Sequence, residues 1–130
     1  MPFPLAAELI RIAEQNLGAS LPSSYKAAMQ RSNGGELNAH DDSWEQYPIE
    51  DTSDRKRMAR TCNHVIKETL ALSNWPTYPP GALAIAGNGA GDQLVLLKVG
   101  KVYEDSVYAW SHETGKLTKV ADDFTQLLGE

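Results

Sequence analysis

The stretch from Pro79 to Val99 constrains the fold most, because a glycine-rich turn separates two apolar runs in it. The runs are Leu83 to Ala86 and Leu94 to Val99, and the turn is GNGAGD over positions 87–92. Glycines in such a turn can adopt positive φ at no steric cost. The pattern therefore predicts a tight β-hairpin.

The same turn raises the question of phosphate binding. Gly87, Gly89 and Gly91 follow a GxGxG spacing, which matches neither the dinucleotide fingerprint nor a P-loop. A strand-like segment follows the turn, whereas an anion site would need a helix N-terminus there. We interpret the turn as a hairpin that presents the carboxylate of Asp92 at its rim.

Length and charge limit the classes of function. A chain of 130 residues with 42% hydrophobic residues is sized for one domain, residues 1–130, with a modest core. Its formal charge of −5 argues against nucleic acid as a direct ligand, since such binding relies on lysine and arginine. An acidic surface favours basic partners instead.

Cysteine usage and hydropathy predict a cytoplasmic protein without membrane attachment. The single cysteine, Cys62, cannot form an internal disulfide and lies in a helical pattern where a small buried apolar residue fits. Glu8 and Glu14 interrupt the apolar pattern at the N-terminus, which therefore does not read as a signal peptide. No run approaches the roughly 18 apolar residues of a membrane span.

Apolar periodicity predicts three helices in the first half of the chain. The first covers Leu5 to Leu17 and ends at Gly18. The second begins near Pro22 and ends at Asn33-Gly34-Gly35. A longer helix covers 51–72. Its basic residues, Arg55 to Arg57 and Arg60, are either a solvated face, which we favour, or an anion-binding patch.

The segment between the second and third helices loses helical periodicity. Trp44 and Tyr47 fit a short strand or an edge segment, whereas His40, Asp41 and Asp42 look like a solvated loop. Three adjacent side chains cannot easily converge on one ion, and no matching cluster is visible elsewhere. We therefore expect no metal site and no cofactor.

The second half of the sequence predicts a connector, a meander and a closing helix. The connector, Ser73 to Gly81, has three prolines, and its Trp75 and Tyr78 are either core lids or anchors for a partner. Strand patterns follow over Val102 to Trp110 and Lys116 to Val120. A short helix carrying Phe124, Leu127 and Leu128 ends the chain. This order predicts an α+β fold, with a mainly antiparallel sheet flanked by helices in a single domain.

Several short motifs, in order, resemble those of the SUKH superfamily, named partly for a yeast cell-wall assembly regulator. The similar segments are Leu21-Pro22 with Tyr25, NGG at 33–35, DTSDRK at 51–56, AIA at 84–86 with Gly89, Gly91-Asp92 and Leu94, VYAWSHETG at 107–115, and Phe124. The likeness extends from Leu21 to Leu128.

The resemblance implies a sheet flanked by helices and, in bacteria, an immunity protein that binds a toxin, often a nuclease. Some members of the superfamily serve instead as regulators or scaffolds. Asp92 and the glycines around it, with Trp110 and Glu113, match recurrent residues of the superfamily. These residues are expected at the hairpin rim, in a binding groove, or in both.

The first hypothesis is thus a non-enzymatic immunity protein that neutralises a cognate, basic toxin. The alternative is a regulatory scaffold that recognises a cellular protein or peptide. An enzyme is not expected, because no nucleophile and base stand at motif spacing and HETG at 112–115 lacks the second histidine of a zinc helix. The sequence favours no particular oligomeric state. The candidate contact residues are Trp44, Tyr47, Trp75, Tyr78, Trp110, Asp41, Asp42, Asp92 and Glu113.

Overall fold

Six antiparallel strands form one sheet in which each strand lies beside its neighbours in the chain. The computed structural model describes residues 2–128. The strands are β1 (Gly35–Ala39), β2 (Asp42–Gln46), β3 (Leu83–Gly87), β4 (Gln93–Val99), β5 (Val102–Trp110) and β6 (Leu117–Ala121). The helices are α1 (Ala7–Leu17), α2 (Ser23–Arg31), α3 (Arg55–Arg60) and α4 (Val65–Leu72), followed by a 3₁₀ helix (Phe124–Leu127). The α+β fold class is confirmed.

The predicted hairpin is present as β3 and β4. Gly89 and Gly91 have φ values of +84° and +112°, so the turn uses the conformational freedom that only glycine supplies. Gly87 differs from the prediction, because it pairs with Gln93 as the last residue of β3.

One face of the sheet carries the main core. The N-terminal helices and the 3₁₀ helix supply side chains that pack on alternate residues of the strands, such as Leu94, Leu96 and Val107. Tyr25 of α2 is fully buried and meets the ring of Phe124 edge-on, with ring centroids 5.1 Å apart. This packing joins the two ends of the described chain.

The opposite face, which we call the open face, has a smaller core cluster of Tyr78, Ala82, Val95 and Trp110. The connector between α4 and β3 covers this small cluster. The indole N–H of Trp110 donates to the carbonyl of Thr77 in the connector at 3.1 Å. The aromatic residues of the connector therefore lie against β4 and β5. The part of the open face that β1 and β2 form stays uncovered.

The long helix predicted over 51–72 is wrong: two short helices, α3 and α4, occupy this segment. Asp51 is held outside any helix because its N–H donates to Thr61 Oγ1 at 2.9 Å, which folds the segment back on itself. His64 is extended, and its ring accepts from the N–H of Lys67, so it caps a new helix. The chain therefore turns between the end of α3 and the start of α4.

Three smaller expectations are also corrected. Cys62 lies in that turn and is exposed, so it fills no core position. Residues 35–46 form a hairpin in which Asp42 begins β2 and only His40 and Asp41, with φ of 52° and 58°, make the turn. The closing helix is a single 3₁₀ turn.

Candidate functional site

A single row of directly paired residues crosses all six strands on the open face. The pairs are Glu36 with Glu45, Glu45 with Gly87, Gly87 with Gln93, Gln93 with Trp110, and Trp110 with Leu117. Residues directly opposite each other on neighbouring strands point to the same side of a sheet. This cross-strand row therefore runs from an exposed acidic end, through glycine and glutamine, to an apolar end formed by Trp110 and Leu117.

The middle of the row is shaped by the absence of a side chain at Gly87. A Cβ there would lie 2.5 Å from the hydroxyl of Tyr47. Tyr47 uses this space to donate to Gln93 Oε1 at 2.7 Å. Burial raises the pKa of Tyr47, and the nearby charge of Glu68 adds to the rise against the opposing effect of the Gln93 bond. Tyr47 is therefore a neutral, half-buried donor beside the acidic end of the row.

Asp92 organises the rim of the open face next to the row. Its Oδ1 lies 2.7 Å from His112 Nδ1 and accepts the backbone N–H of His112 at 3.1 Å. Partial burial raises the pKa of Asp92, but the hydrogen bonds from the His112 ring and backbone outweigh it and hold the pKa below its usual value. The rim thus presents an ionised carboxylate that joins two turns.

Asn88 extends the rim to the β1–β2 hairpin. Its amide nitrogen donates to Asp42 Oδ2 at 3.0 Å and lies 3.5 Å from Asp92 Oδ2. Its side-chain oxygen accepts from the N–H groups of Ala90 and Asp92. One amide side chain therefore bridges two carboxylates that would otherwise repel each other.

The aromatic end of the site carries one exposed ring. Trp75 is 47% exposed and meets Trp110 and His112 edge-on, with ring centroids 6.4 and 6.0 Å apart. The ring of Tyr78 also packs edge-on against Trp110, and the two ring centroids are 5.2 Å apart. Trp75 is thus an apolar projection on a rigid aromatic base, beside the Asp92 rim.

Charge is segregated along the chain in a way that makes one side of the open face acidic. No lysine or arginine occurs between Arg31 and Arg55, the segment that forms β1 and β2. Glu36 and Glu45 are exposed and directly opposite each other, although like charges in that arrangement are destabilising. This unfavourable pair is a feature that fold stability alone does not explain.

The structure places the predicted contact residues in three environments. Trp44, Tyr78 and Trp110 are buried, so they support the surface by packing. Tyr47 and Asp92 are partly exposed. Trp75, Asp41, Asp42 and Glu113 are exposed. The structure brings Trp75, Asp92 and Asp42 to one rim through His112 and Asn88.

Sequence reasoning missed Glu36, Glu45, Asn88 and the pairing of His112 with Asp92. The available signal for the last was the register of the predicted β4 and β5. Pairing of Gln93 with Trp110 brings Asp92, directly before β4, close to the first residues after β5, of which His112 is the second.

The same groups define what the site can do chemically. The ring nitrogen of His112 bonds Asp92, and within residues 2–128 no serine, threonine, cysteine or lysine side chain contacts that ring through a hydrogen bond. In the described chain, no three His, Cys, Asp or Glu side chains could together hold a metal ion. No described helix has the length and apolar character needed to cross a membrane. The exposed carboxylates and the Trp75 ring are the groups of this face that another molecule can contact.

Fold and site together define an α+β domain whose antiparallel meander leaves one acidic, aromatic-edged face open. The chain belongs to the SMI1 / KNR4 family (SUKH-1), whose family model matches residues 4–130. The resemblance to the SUKH superfamily is confirmed by this match. A comparison with curated proteins gave no significant match.

Proposed function

We propose that this protein is a cytoplasmic immunity protein, which binds a basic toxin and neutralises it without catalysis. Membership of the SUKH-1 family supports a binding role. The observation that carries the proposal is the directly opposed Glu36 and Glu45, which lie at the end of the cross-strand row with no basic residue in the same segment. A basic partner would relieve their repulsion.

The site offers two different contributions to such a complex. Carboxylates around the rim attract a basic surface and raise the rate of encounter, an effect that salt weakens. Trp75 supplies an exposed aromatic ring on a rigid base, the kind of residue that most often dominates binding energy. The toxin is neutralised when its own substrate groove, which must be basic in a nuclease, is covered by the acidic end of the row.

The first experiment is co-expression with the protein encoded beside this chain, which the proposal expects to be basic. The proposal expects that neighbour to be toxic when expressed alone, harmless with this chain, and recovered as a complex with it. Survival without a complex, or a neighbour that is not toxic, would contradict the immunity role.

Variants then test the surface within that complex. We expect Glu36→Lys combined with Glu45→Lys to lower the association rate, and Trp75→Ala to weaken affinity by about 2 kcal/mol if Trp75 is a hot spot. Glu8→Lys is compared with Glu36→Lys and Glu45→Lys each made alone, because all three change the net charge equally and Glu8 is an exposed carboxylate on α1, which packs on the other face. Equal effects of all these charge changes would reject the open face as the binding surface.

A second candidate function is a regulatory scaffold that recognises a peptide. A groove of about 700 Å³ between α4 and the proline-containing connector favours it, and Leu70 in that groove is 66% exposed. Under this alternative, substitution of Leu70 would abolish partner binding and the double Glu36 and Glu45 variant would leave it unchanged.

A further inference from the structure

A cavity of about 310 Å³ lies where the N-terminal segment, β2 and α3 meet. Its walls include Phe3, Gln46, Asp51, Arg57 and Arg60. The volume is within the range of small-ligand sites. Glu45, at the acidic end of the cross-strand row, also lines this cavity. The inference therefore shares one residue with the proposed toxin-binding surface, but its test uses small molecules and does not depend on a toxin.

α3 brings positive charge to one wall of the cavity: Arg57 and Arg60 line it, and Lys56 precedes Arg57 in the helix. Lys56 Nζ, Arg57 Cζ and Arg60 Cζ lie 5.7, 4.3 and 5.0 Å from the centroid of the Phe3 ring. The face of an aromatic ring attracts cations and helps to gather these three. In an otherwise acidic protein, such a concentration of cations points to an oxyanion.

The two arginines of this wall differ in their partners. Arg57 Nη1 is paired with Asp54 Oδ2 at 2.7 Å, and its Nε lies 3.7 Å from Asp51 Oδ2. Within residues 2–128, no carboxylate lies within 4.0 Å of Arg60. Arg60 is therefore the guanidinium that can accept an oxyanion without giving up an ion pair in this part of the chain.

The opposite wall has acceptors that lack a donor. Gln46 is 8% exposed, and its amide nitrogen donates to the Gly34 carbonyl at 2.9 Å. Its Oε1 has no hydrogen-bond partner among the described residues. Asp51 is 2% exposed, and its Oδ1 accepts from the N–H and hydroxyl of Ser53, whereas Oδ2 has only the distant Arg57 Nε.

An unpaired buried acceptor is unfavourable, so the Gln46 oxygen is expected to have a partner that residues 2–128 do not supply. Neighbouring polar groups do not share this deficit. Asn33 bonds both the N–H and the carbonyl of Ile49, and Thr61 Oγ1 bonds Asp51 N and Arg57 O. Among these polar groups, only Gln46 Oε1 lacks a hydrogen-bond donor in the described part of the chain.

We infer that this cavity binds a small zwitterion. The amine donates to Gln46 Oε1 and to Asp51, and the oxyanion meets Arg60. A simple anion would leave Gln46 without a donor, and a simple cation would be repelled by the arginines. Amino acids and phosphorylated amines share this chemistry, and they differ only in whether the oxyanion is a carboxylate or a phosphate.

Titration of the full chain, followed by backbone amide NMR, tests the inference. The probes are β-alanine and phosphoethanolamine as zwitterions, with acetate and ethylamine as single-charge controls. We expect saturable shifts at Gly34, Gly35 and Thr61 with at least one zwitterion at millimolar concentration, and none with either control. The zwitterion that binds more tightly identifies the oxyanion. No saturation with either zwitterion, or equal binding of acetate, would overturn the inference.

Two variants on the same helix separate a site from a general charge effect. Arg60→Gln is expected to weaken zwitterion binding about tenfold, the usual effect of losing a hydrogen bond to a charged group. Arg55→Gln removes the same charge from an exposed residue that does not line the cavity, and binding should stay unchanged. Equal weakening by both variants would show that only net charge matters, and it would refute a specific site.

Discussion

Gly91 allows the β3–β4 turn to approach His112, and a substitution there should be more damaging than at its neighbour. A Cβ on Gly91 would lie 2.9 Å from ring atoms of His112, and φ is +112°. We expect Gly91→Ala to lower the free energy of unfolding by about 2 to 3 kcal/mol, measured in urea. Gly89→Ala is the control, since φ is +84° but no heavy atom lies within 4 Å. It should cost about 1 kcal/mol. Equal losses would contradict the steric role of the His112 ring.

Asp92 should make stability depend on pH in acid. Its pKa is lower in the folded protein than in the unfolded chain, so ionised Asp92 stabilises the fold above its unfolded pKa of about 3.9. This contribution is lost as pH falls through the folded pKa. We expect Asp92→Asn to be less stable than the wild type near neutral pH, and the difference to shrink below about pH 4. Urea unfolding at a series of pH values measures it. A difference that stays constant with pH would contradict the role of the charge.

At the scale of elements, one hydroxyl joins α4 to the sheet. β2 pairs with β3 only near the end of β3, at Ala86 and Gly87, which leaves the backbone of Ala84 without a strand on that side. The N–H of Ala84 donates to Thr69 Oγ1 at 2.9 Å. We expect Thr69→Val to destabilise the fold by about 1 to 3 kcal/mol, because a fully buried donor loses its acceptor.

Thr69→Ser is the matched control, since it keeps the hydroxyl and should stay close to the wild type. Hydrogen exchange of the Ala84 amide should become faster in the valine variant only. Equal exchange in both variants would show that the hydroxyl does not hold α4 on β3.

Local sequence information was enough for the elements whose ends are marked by their own residues. Gly18 ends α1, and the glycines at 89 and 91 permit the turn between β3 and β4. No glycine in the sequence indicates the break between α3 and α4. It depends on the hydrogen bond between Asp51 and Thr61, which periodicity does not reveal because both halves keep a helical pattern.

The site was harder to predict than the fold for a related reason. His112 and Asp92 are 20 positions apart, and their contact follows only from the register of β4 and β5. Aromatic residue type did not distinguish Trp75, which projects into solvent, from Trp110, which the connector buries. Their difference depends on which face each residue takes and on what covers that face.

The opposed Glu36 and Glu45 at the acidic end of the cross-strand row lower the stability of the whole molecule. We expect Glu36→Lys to raise the free energy of unfolding by about 0.5 kcal/mol, because it replaces a like-charged cross-strand pair with an attractive one. Urea unfolding at low ionic strength measures this gain. Glu36→Gln should give a smaller gain, since it removes repulsion without adding attraction.

Salt provides the check on that interpretation. Both carboxylates are exposed, so added salt screens their repulsion and should reduce the advantage of the lysine variant. A gain that does not change with salt would indicate a cause other than charge. A variant that is more stable and yet fails to neutralise the proposed toxin would connect the repulsion between Glu36 and Glu45 to function.

The contact between α2 and the 3₁₀ helix also determines when this chain can fold during synthesis. The N–H of Phe124 donates to Ser24 Oγ across 100 positions, and the Phe124 ring covers the buried Tyr25. A nascent chain therefore lacks the ring that packs edge-on against Tyr25 until Phe124 has been made. Such long-range closure slows folding and leaves apolar surface open to aggregation until the contact forms. α2 therefore waits for a packing partner that is made 100 positions later.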